Sequence, residues 1–257
     1  MTVLVPTVLL PTGLCAQSPP PSSWRRSVEA SGSLLYGAAS QRVLNGMFSA
    51  SSETARRQLR GDVQSGYGDA VDQVSGERRV IVRNTRGTFG VDLTPRALVS
   101  PFAFGLAETS LQQRLASRFS AGAGAKLTVW RPDSIRGGFQ EDGSISLAML
   151  GEETRGIRIN DTTPAAGTGT RYRWSLRARY RTRIGESLRF SHLTLYQPTI
   201  DRAARYTMES TTTLAVPLRS AIELTFTHRE RLDSEARDRG APSNRDGQML
   251  FGLRATF

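Results

Sequence analysis

GQMLFGLRATF, residues 247–257, closes the 257-residue chain with a segment that has two unlike faces. Met249, Phe251, Leu253, Ala255 and Phe257 take one side of an extended backbone, while Leu250, Gly252, Arg254 and Thr256 take the other, because successive side chains of a strand point in opposite directions. A period of two over this length predicts a strand and not an amphipathic helix. The same period governs RYRWSLRARYRTRI, residues 171–184. There Arg171, Arg173, Ser175, Arg177, Arg179, Arg181 and Arg183 share one face, and Tyr172, Trp174, Leu176, Ala178, Tyr180, Thr182 and Ile184 share the other. One face is cationic and the other apolar, which fits the solvent side of a soluble sheet or the lumen of a barrel equally well.

Working outward from these two segments, alternation marks about twelve strands, near 27–37, 42–53, 57–68, 78–93, 98–110, 118–130, 140–153, 171–184, 187–198, 206–218, 221–233 and 245–257. No helical period of useful length separates them, which excludes α/β classes. An even number returns both ends of the chain to one side, and strands of about 9–11 residues cross a bilayer when tilted. The connections support this. Those after even strands are mostly tight, such as Gly185-Glu186 and Arg219-Ser220, whereas those after odd strands include Thr154–Thr170 and Ser234–Asn244; Arg131–Gly138 is longer than the rule predicts. Hydrophobic residues make up 38% of the chain, enough to coat one surface of a barrel more easily than to fill a soluble core of this size. In strand 221–233, Ile222, Leu224 and Phe226 alternate with Glu223, Thr225 and Thr227. In strand 206–218, Met208, Leu214, Val216 and Leu218 oppose Glu209, Thr211 and Thr213. The expected fold is therefore all-β: a single transmembrane antiparallel up-and-down β-barrel of about 12 strands, with 10 to 14 possible. A soluble exported β-sandwich binding module is the alternative.

Charge gives 34 Lys plus Arg against 23 Asp plus Glu, a formal net of +11, and Lys126 is the only lysine. A basic balance commonly marks nucleic-acid binders, but these cluster their charge on one helix face or tail. Here Arg is spread through nearly every strand and mixed with Glu, so no nucleic-acid partner is expected. The single cysteine, Cys15, rules out a disulfide framework or a cysteine metal site. It falls within MTVLVPTVLLPTGLCA, residues 1–16, an uncharged apolar run too short to span a bilayer as a helix, which reads as an export signal peptide ending at Ala16. Residues 17–26, containing SPPPSS, read as a Pro/Ser-rich linker, and 27–257 as the outer-membrane barrel domain.

An Arg on the lipid face near the midplane costs about 2–4 kcal/mol, so the barrel reading places Arg171, Arg173, Arg177, Arg179, Arg181 and Arg183 in the lumen. They form either a cationic wall that attracts small anions or a filling that pairs with carboxylates such as Glu209 and Glu223 from other strands. Tyr172, Tyr206 and Phe257, at strand ends, are candidates for interfacial girdles. His192 and His228 without cysteines make no dedicated metal site, and no cofactor is expected. Ser191 and His192 are adjacent and face opposite sides; His192 and Thr194 share a face, but no third group of a catalytic set is evident, so an outer-membrane hydrolase is the alternative and not the expectation. Gly122 and Gly124 lack the spacing of a phosphate loop and read as relief for close packing or curvature. Glu152, Glu153 and Asp161 read as charged loop residues able to bridge cations or lipopolysaccharide.

SPFAFGLAETSLQQRLASRFSAGAGAKLTVW, residues 100–130, resembles the central hairpin of the YdiY-like family of salt-induced outer-membrane proteins, also called domain-of-unknown-function family 481, in which a strand reading roughly "yafglaeye" precedes a glycine-rich one. Residues 233–257, DSEARDRGAPSNRDGQMLFGLRATF, resemble the family's ending, a Pro-containing loop, an Asp and an alternating strand finishing in Phe, with Pro242, Asp246 and Phe257 in those places. The family's early Gly-Asn turn is replaced here by GAASQ, residues 37–41. The likeness runs from about Val28 to the end and implies fold and location in the bacterial outer membrane, with no established substrate. It also implies that Phe257 serves as a C-terminal insertion signal read by the barrel-insertion machinery, and that outer-membrane lipid and lipopolysaccharide surround the protein. The expected role is a small pore with an Arg-lined lumen or a structural envelope protein.

Overall fold

A computed structural model describes residues 24–35, 41–54, 56–71, 76–132, 141–157, 168–185, 187–219 and 221–257. The expected signal peptide, Gln17–Ser23 of the linker, Asp161 and most of the Arg131–Gly138 connection lie outside them. The described residues form twelve strands: β1 (Arg25–Leu35), β2 (Gln41–Glu53), β3 (Arg57–Val71), β4 (Arg78–Leu93), β5 (Val99–Ser110), β6 (Leu115–Trp130), β7 (Asp142–Gly156), β8 (Gly169–Ile184), β9 (Leu188–Pro198), β10 (Tyr206–Arg219), β11 (Ile222–Asp233) and β12 (Arg245–Thr256). Each strand pairs antiparallel with its neighbours in sequence, and β12 returns to β1 to close the ring. At this seam the Phe257 amide donates to Arg26 O at 2.9 Å and the Arg26 amide donates to Phe257 O at 3.0 Å. Closure leaves no unpaired edge, the only arrangement in which a sheet can lose contact with water on its outer side.

The alternation in the sequence turns into an inverted burial pattern. Phe251 is 64% exposed and Leu147 51%, whereas Ser100 is 0% and Arg173 1%. Apolar side chains cover the outside, and serines, threonines, carboxylates and guanidinium groups fill the inside, the reverse of a water-soluble protein. One end of the barrel, here the terminal end, carries Trp24, Phe257 and the connections 54–56, 94–98, 185–187 and 220–221; the opposite loop end carries 111–114, 157–168, 199–205 and 234–244. The long 131–141 connection remains the exception at the terminal end. Tyr172, 62% exposed, and the Tyr196–Tyr206 pair, with centroids 5.5 Å apart, ring the loop end, while Trp130, Tyr180, Phe190 and Phe257 lie toward the terminal end.

Most strands fall within two residues of the expected bounds, and three differ by three residues, β3 running to Val71 and not 68. β6 begins at Leu115, not 118, and β7 runs to Gly156, not 153. Arg118 pairs with Thr154 and Glu152 pairs with Arg171 in the ladders, so the reading of Glu152 and Glu153 as loop residues is corrected. Glu152 looked like a loop residue because it is charged; it is an inward strand residue whose charge is met inside the barrel. Barrel pairing also begins earlier than expected, with β1 starting at Arg25.

Gly122 and Gly124 permit a close approach of β6 to β7. A Cβ on Gly124 would lie 2.1 Å from Leu147 O, and one on Gly122 would lie 2.6 Å from Met149 O. Because the clashing atoms are backbone, Gly124→Val is expected to cost about 1–3 kcal/mol. Gly247→Ala, where a Cβ meets nothing within 4 Å, is the control. Equal urea midpoints for the two variants would refute the packing account.

Candidate functional site

The site is the lumen, and its chemistry differs between the two ends. In the loop-end half, charged side chains meet across the barrel. Arg231 of β11 donates through both terminal nitrogens to Glu108 of β5, at 2.6 and 3.0 Å. Arg86 of β4 donates to Glu209 of β10. In a ring of twelve strands, β5 and β11 stand diametrically opposite, as do β4 and β10. Arg118 of β6 donates to Glu108 at 2.9 Å and to Asp233, at the end of β11, at 2.8 Å. The Arg118–Glu108 bond joins neighbouring strands, and the others cross the lumen from wall to wall.

The β11–β12 connection adds a second layer. Its 3-10 turn, Arg237–Arg239, closes at Gly240 with φ +84°, and Ala236 and Ala241 are buried. Arg239 donates to Asp233 at 2.7 Å and to Gln113 O at 3.2 Å, tying this connection to the β5–β6 turn opposite. Glu235 receives Arg171 and lies 3.6 Å from Arg173. The remaining spaces are small: a cavity of about 50 Å³ lined by residues including Arg86, Glu108, Glu209 and Arg231, and another of about 20 Å³ beside Arg118 and Gln197. At about 10–15 Å³ of such volume per water, they hold a few waters each.

The terminal-end half is built differently. Its pairs run along the wall between strands that are adjacent or once removed: Lys126 to Asp92, Arg179 and Arg181 to Asp142 at 2.5 Å each, Arg189 to Glu223, and Arg254 to Glu29 at 2.6 Å. Arg177 has no carboxylate partner among the described residues; its guanidinium carbon sits 5.7 Å from the Phe104 ring centroid.

All six ladder arginines lie on the inner face, in two environments. Arg171 and Arg173 belong to the bridged half, with Arg173 donating to Glu152 at 3.0 Å and to Gln197 O at 3.1 Å. Arg177, Arg179, Arg181 and Arg183 belong to the other half, and Glu141 accepts the Arg183 backbone amide at 2.8 Å. The expected pairing of this ladder with Glu209 and Glu223 is corrected: Glu209 faces Arg86 and Arg229, and Glu223 faces Arg189 and Arg254. The physical reason is position around the ring, which alternation does not encode. Glu108, Arg118, Arg231 and Asp233 were missed for the same reason, their signal in the sequence being inward parity alone; Glu235 and Arg239 lie in the β11–β12 connection, where parity gives no signal.

On the outer face, the structure places a second hydroxyl, that of Thr212, beside His192. The Nδ1 of His192 lies 2.9 Å from Thr212 Oγ1 and its Nε2 lies 2.9 Å from Thr194 Oγ1. Across the ladders His192, Thr212 and His228 stand in one row. Both ring nitrogens are satisfied by hydroxyls, and no carboxylate pairs with the ring among the described residues. Nor do three His, Cys, Asp or Glu side chains converge there as a metal-holding group.

The chain has structural likenesses among solved barrels. A structure titled "KdgM porin" superposes with TM-score 0.48 at 9% identity, covering 90% of this chain and 99% of that one. The anion-selective porin from Comamonas acidovorans gives TM-score 0.37 at 10% identity, covering 91% and 96%. The transport unit of the autotransporter AIDA-I from Escherichia coli gives 0.36 at 11%, covering 96% and 94%. No curated protein matches the sequence. The family is shown by a model that matches residues 28–257, nearly the whole barrel: this chain belongs to DUF481, a family described as proteins of unknown function.

Proposed function

We propose that this protein is an outer-membrane barrel with a structural role in the envelope, its lumen closed by an ion-pair strut and therefore not a constitutively open pore. The observation that carries this reading is the pair of diametric bridges, Arg231 to Glu108 and Arg86 to Glu209, which leave only small cavities at their level. The apolar exterior supports a hydrocarbon surround, and the short turns beside both described ends support a periplasmic terminal end. In this reading residues 1–16 are the export signal, Phe257 is read by the insertion machinery, and lipid and lipopolysaccharide are the surrounding partners. The reading is non-enzymatic, because the imidazole of His192 is held between two hydroxyls with no acid among the described residues to orient or charge it.

Planar-bilayer recording tests the strut. The folded wild-type barrel is expected to be silent, and a variant combining Arg231→Ala, Glu108→Ala, Arg86→Ala, Glu209→Ala and Arg229→Ala is expected to conduct, since the guanidinium partners of Glu209 are removed with it and Arg118 keeps Asp233. Steady conductance by the wild type would overturn the closed-lumen reading in favour of the Arg-lined pore.

A further inference from the structure

We propose that the terminal-end half of the lumen is a binding site for a small, multiply charged oxyanion, held between Arg60 of β3 and Arg179 and Arg181 of β8. Arg60 pairs with Gly90 in the β3–β4 ladder and points inward, yet it stays open to water and has no carboxylate partner among the described residues. Across the lumen, Arg179 and Arg181 divide one carboxylate, Asp142, between them. β3 and β8 stand five strands apart in the ring of twelve, nearly opposite, and the charged groups that bear on Arg60 include Arg179, Arg181 and Asp142 together with Asp92, which Lys126 already engages. With Arg177 on its aromatic ring, Arg183 further along β8 and Asp62 the next inward residue of β3, six cations face three carboxylates, an excess of three positive charges. Arg131 and Glu141, at the rim, add one charge of each sign.

The contrast within one lumen decides against a merely solvated wall. In the bridged half every guanidinium that crosses the lumen lands on a carboxylate, so the chain has the means to neutralise an inward Arg where it closes the barrel. In the terminal-end half it leaves Arg60 exposed to water and without a carboxylate among the described residues, while Arg179 and Arg181 share one. A dead-ended, low-dielectric well with uncompensated charge concentrates ions of opposite sign. Guanidinium forks select oxyanions, which they hold by paired hydrogen bonds. A lipid headgroup cannot enter, because its acyl chains would have to pass through the hydrogen-bonded wall, so the ligand is a free aqueous oxyanion arriving from the terminal end.

The test is calorimetric titration of the folded full barrel in detergent with inorganic phosphate and pyrophosphate at low ionic strength. One saturable site per chain is expected, tighter for pyrophosphate and weakening as chloride is added. Arg60→Gln is expected to lower affinity about tenfold or more, consistent with loss of charge-assisted hydrogen bonds. Asp142→Asn is expected to raise it, because it frees Arg179 and Arg181; a purely structural role for these arginines would not produce that opposite sign. Arg245→Gln, whose side chain pairs with Glu230 outside the lumen, is expected to bind as wild type. Should Arg60→Gln fail to fold, Arg177→Gln replaces it, with the same direction expected. Absence of saturable binding, or wild-type affinity in the folded arginine variant, overturns the proposal. It rests on the lumen reading only in needing a water-filled terminal-end half: a conducting wild type sinks the closed strut and leaves phosphate binding standing, whereas absent binding in a silent barrel sinks this inference alone.

Discussion

Glu108→Gln is expected to destabilise the barrel by about 3–5 kcal/mol, the largest single-residue effect in the lumen. The wild-type carboxylate is 5% exposed and accepts from Arg118 and from both terminal nitrogens of Arg231. The amide keeps the shape but removes the charge, leaving Arg231 without its carboxylate and Arg118 with Asp233 at 2.8 Å and Glu152 at 3.6 Å. Taking a guanidinium out of water is offset only while its partner remains, so the loss reflects a stranded cation more than a missing attraction. Urea unfolding in lipid vesicles, followed by tryptophan fluorescence, measures it. Glu153→Gln is the internal control: its pair with Arg155 at 2.8 Å is largely exposed and worth at most about 1 kcal/mol. If Glu108→Gln unfolds within about 1 kcal/mol of wild type, the strut contributes little and the closed lumen loses its energetic basis.

Leu147→Arg is expected to cost about 2–4 kcal/mol if hydrocarbon surrounds the barrel. Leu147 lies near the middle of β7 on the outer face, between Ile145 and Met149, all more than half exposed. In a water-soluble protein an exposed leucine accepts such a change almost freely. The sign of the experiment thus depends on the solvent and not on packing. Folding yields and urea midpoints in vesicles of medium chain length would show it, with Glu153→Arg near the loop-end rim as a milder comparison. Wild-type stability for Leu147→Arg would remove the membrane from the account.

These two residues mark how far the sequence reaches. Leu147 was legible, because parity along one strand is a local property: neighbours point to opposite faces whatever the rest of the chain does. The same rule placed the arginines of 171–184 inside once the outside was apolar, and it found the strands within a few residues. Where it failed, charge was mistaken for solvent exposure. Glu152 was read as a loop residue because a carboxylate normally seeks water, yet it lies 2% exposed beside Arg173. Thr212 escaped for a related reason, since a hydroxyl on a neighbouring strand carries no mark that a histidine will meet it.

The amino-acid sequence by itself determined that this chain makes two-faced antiparallel strands, that its arginines share one face, and that the ring closes through a last strand ending in Phe257. It could not determine whether those arginines line an opening or fill it. Side-chain parity is set by bonds between neighbouring residues, but the partner of an inward charge is set by which strand stands opposite after the sheet has closed. Only the tertiary structure puts Glu108 across from Arg231 and divides Glu223 between Arg189 and Arg254, because distance across the lumen depends on ring position, and residues more than a hundred positions apart, such as Glu108 and Arg231, meet there.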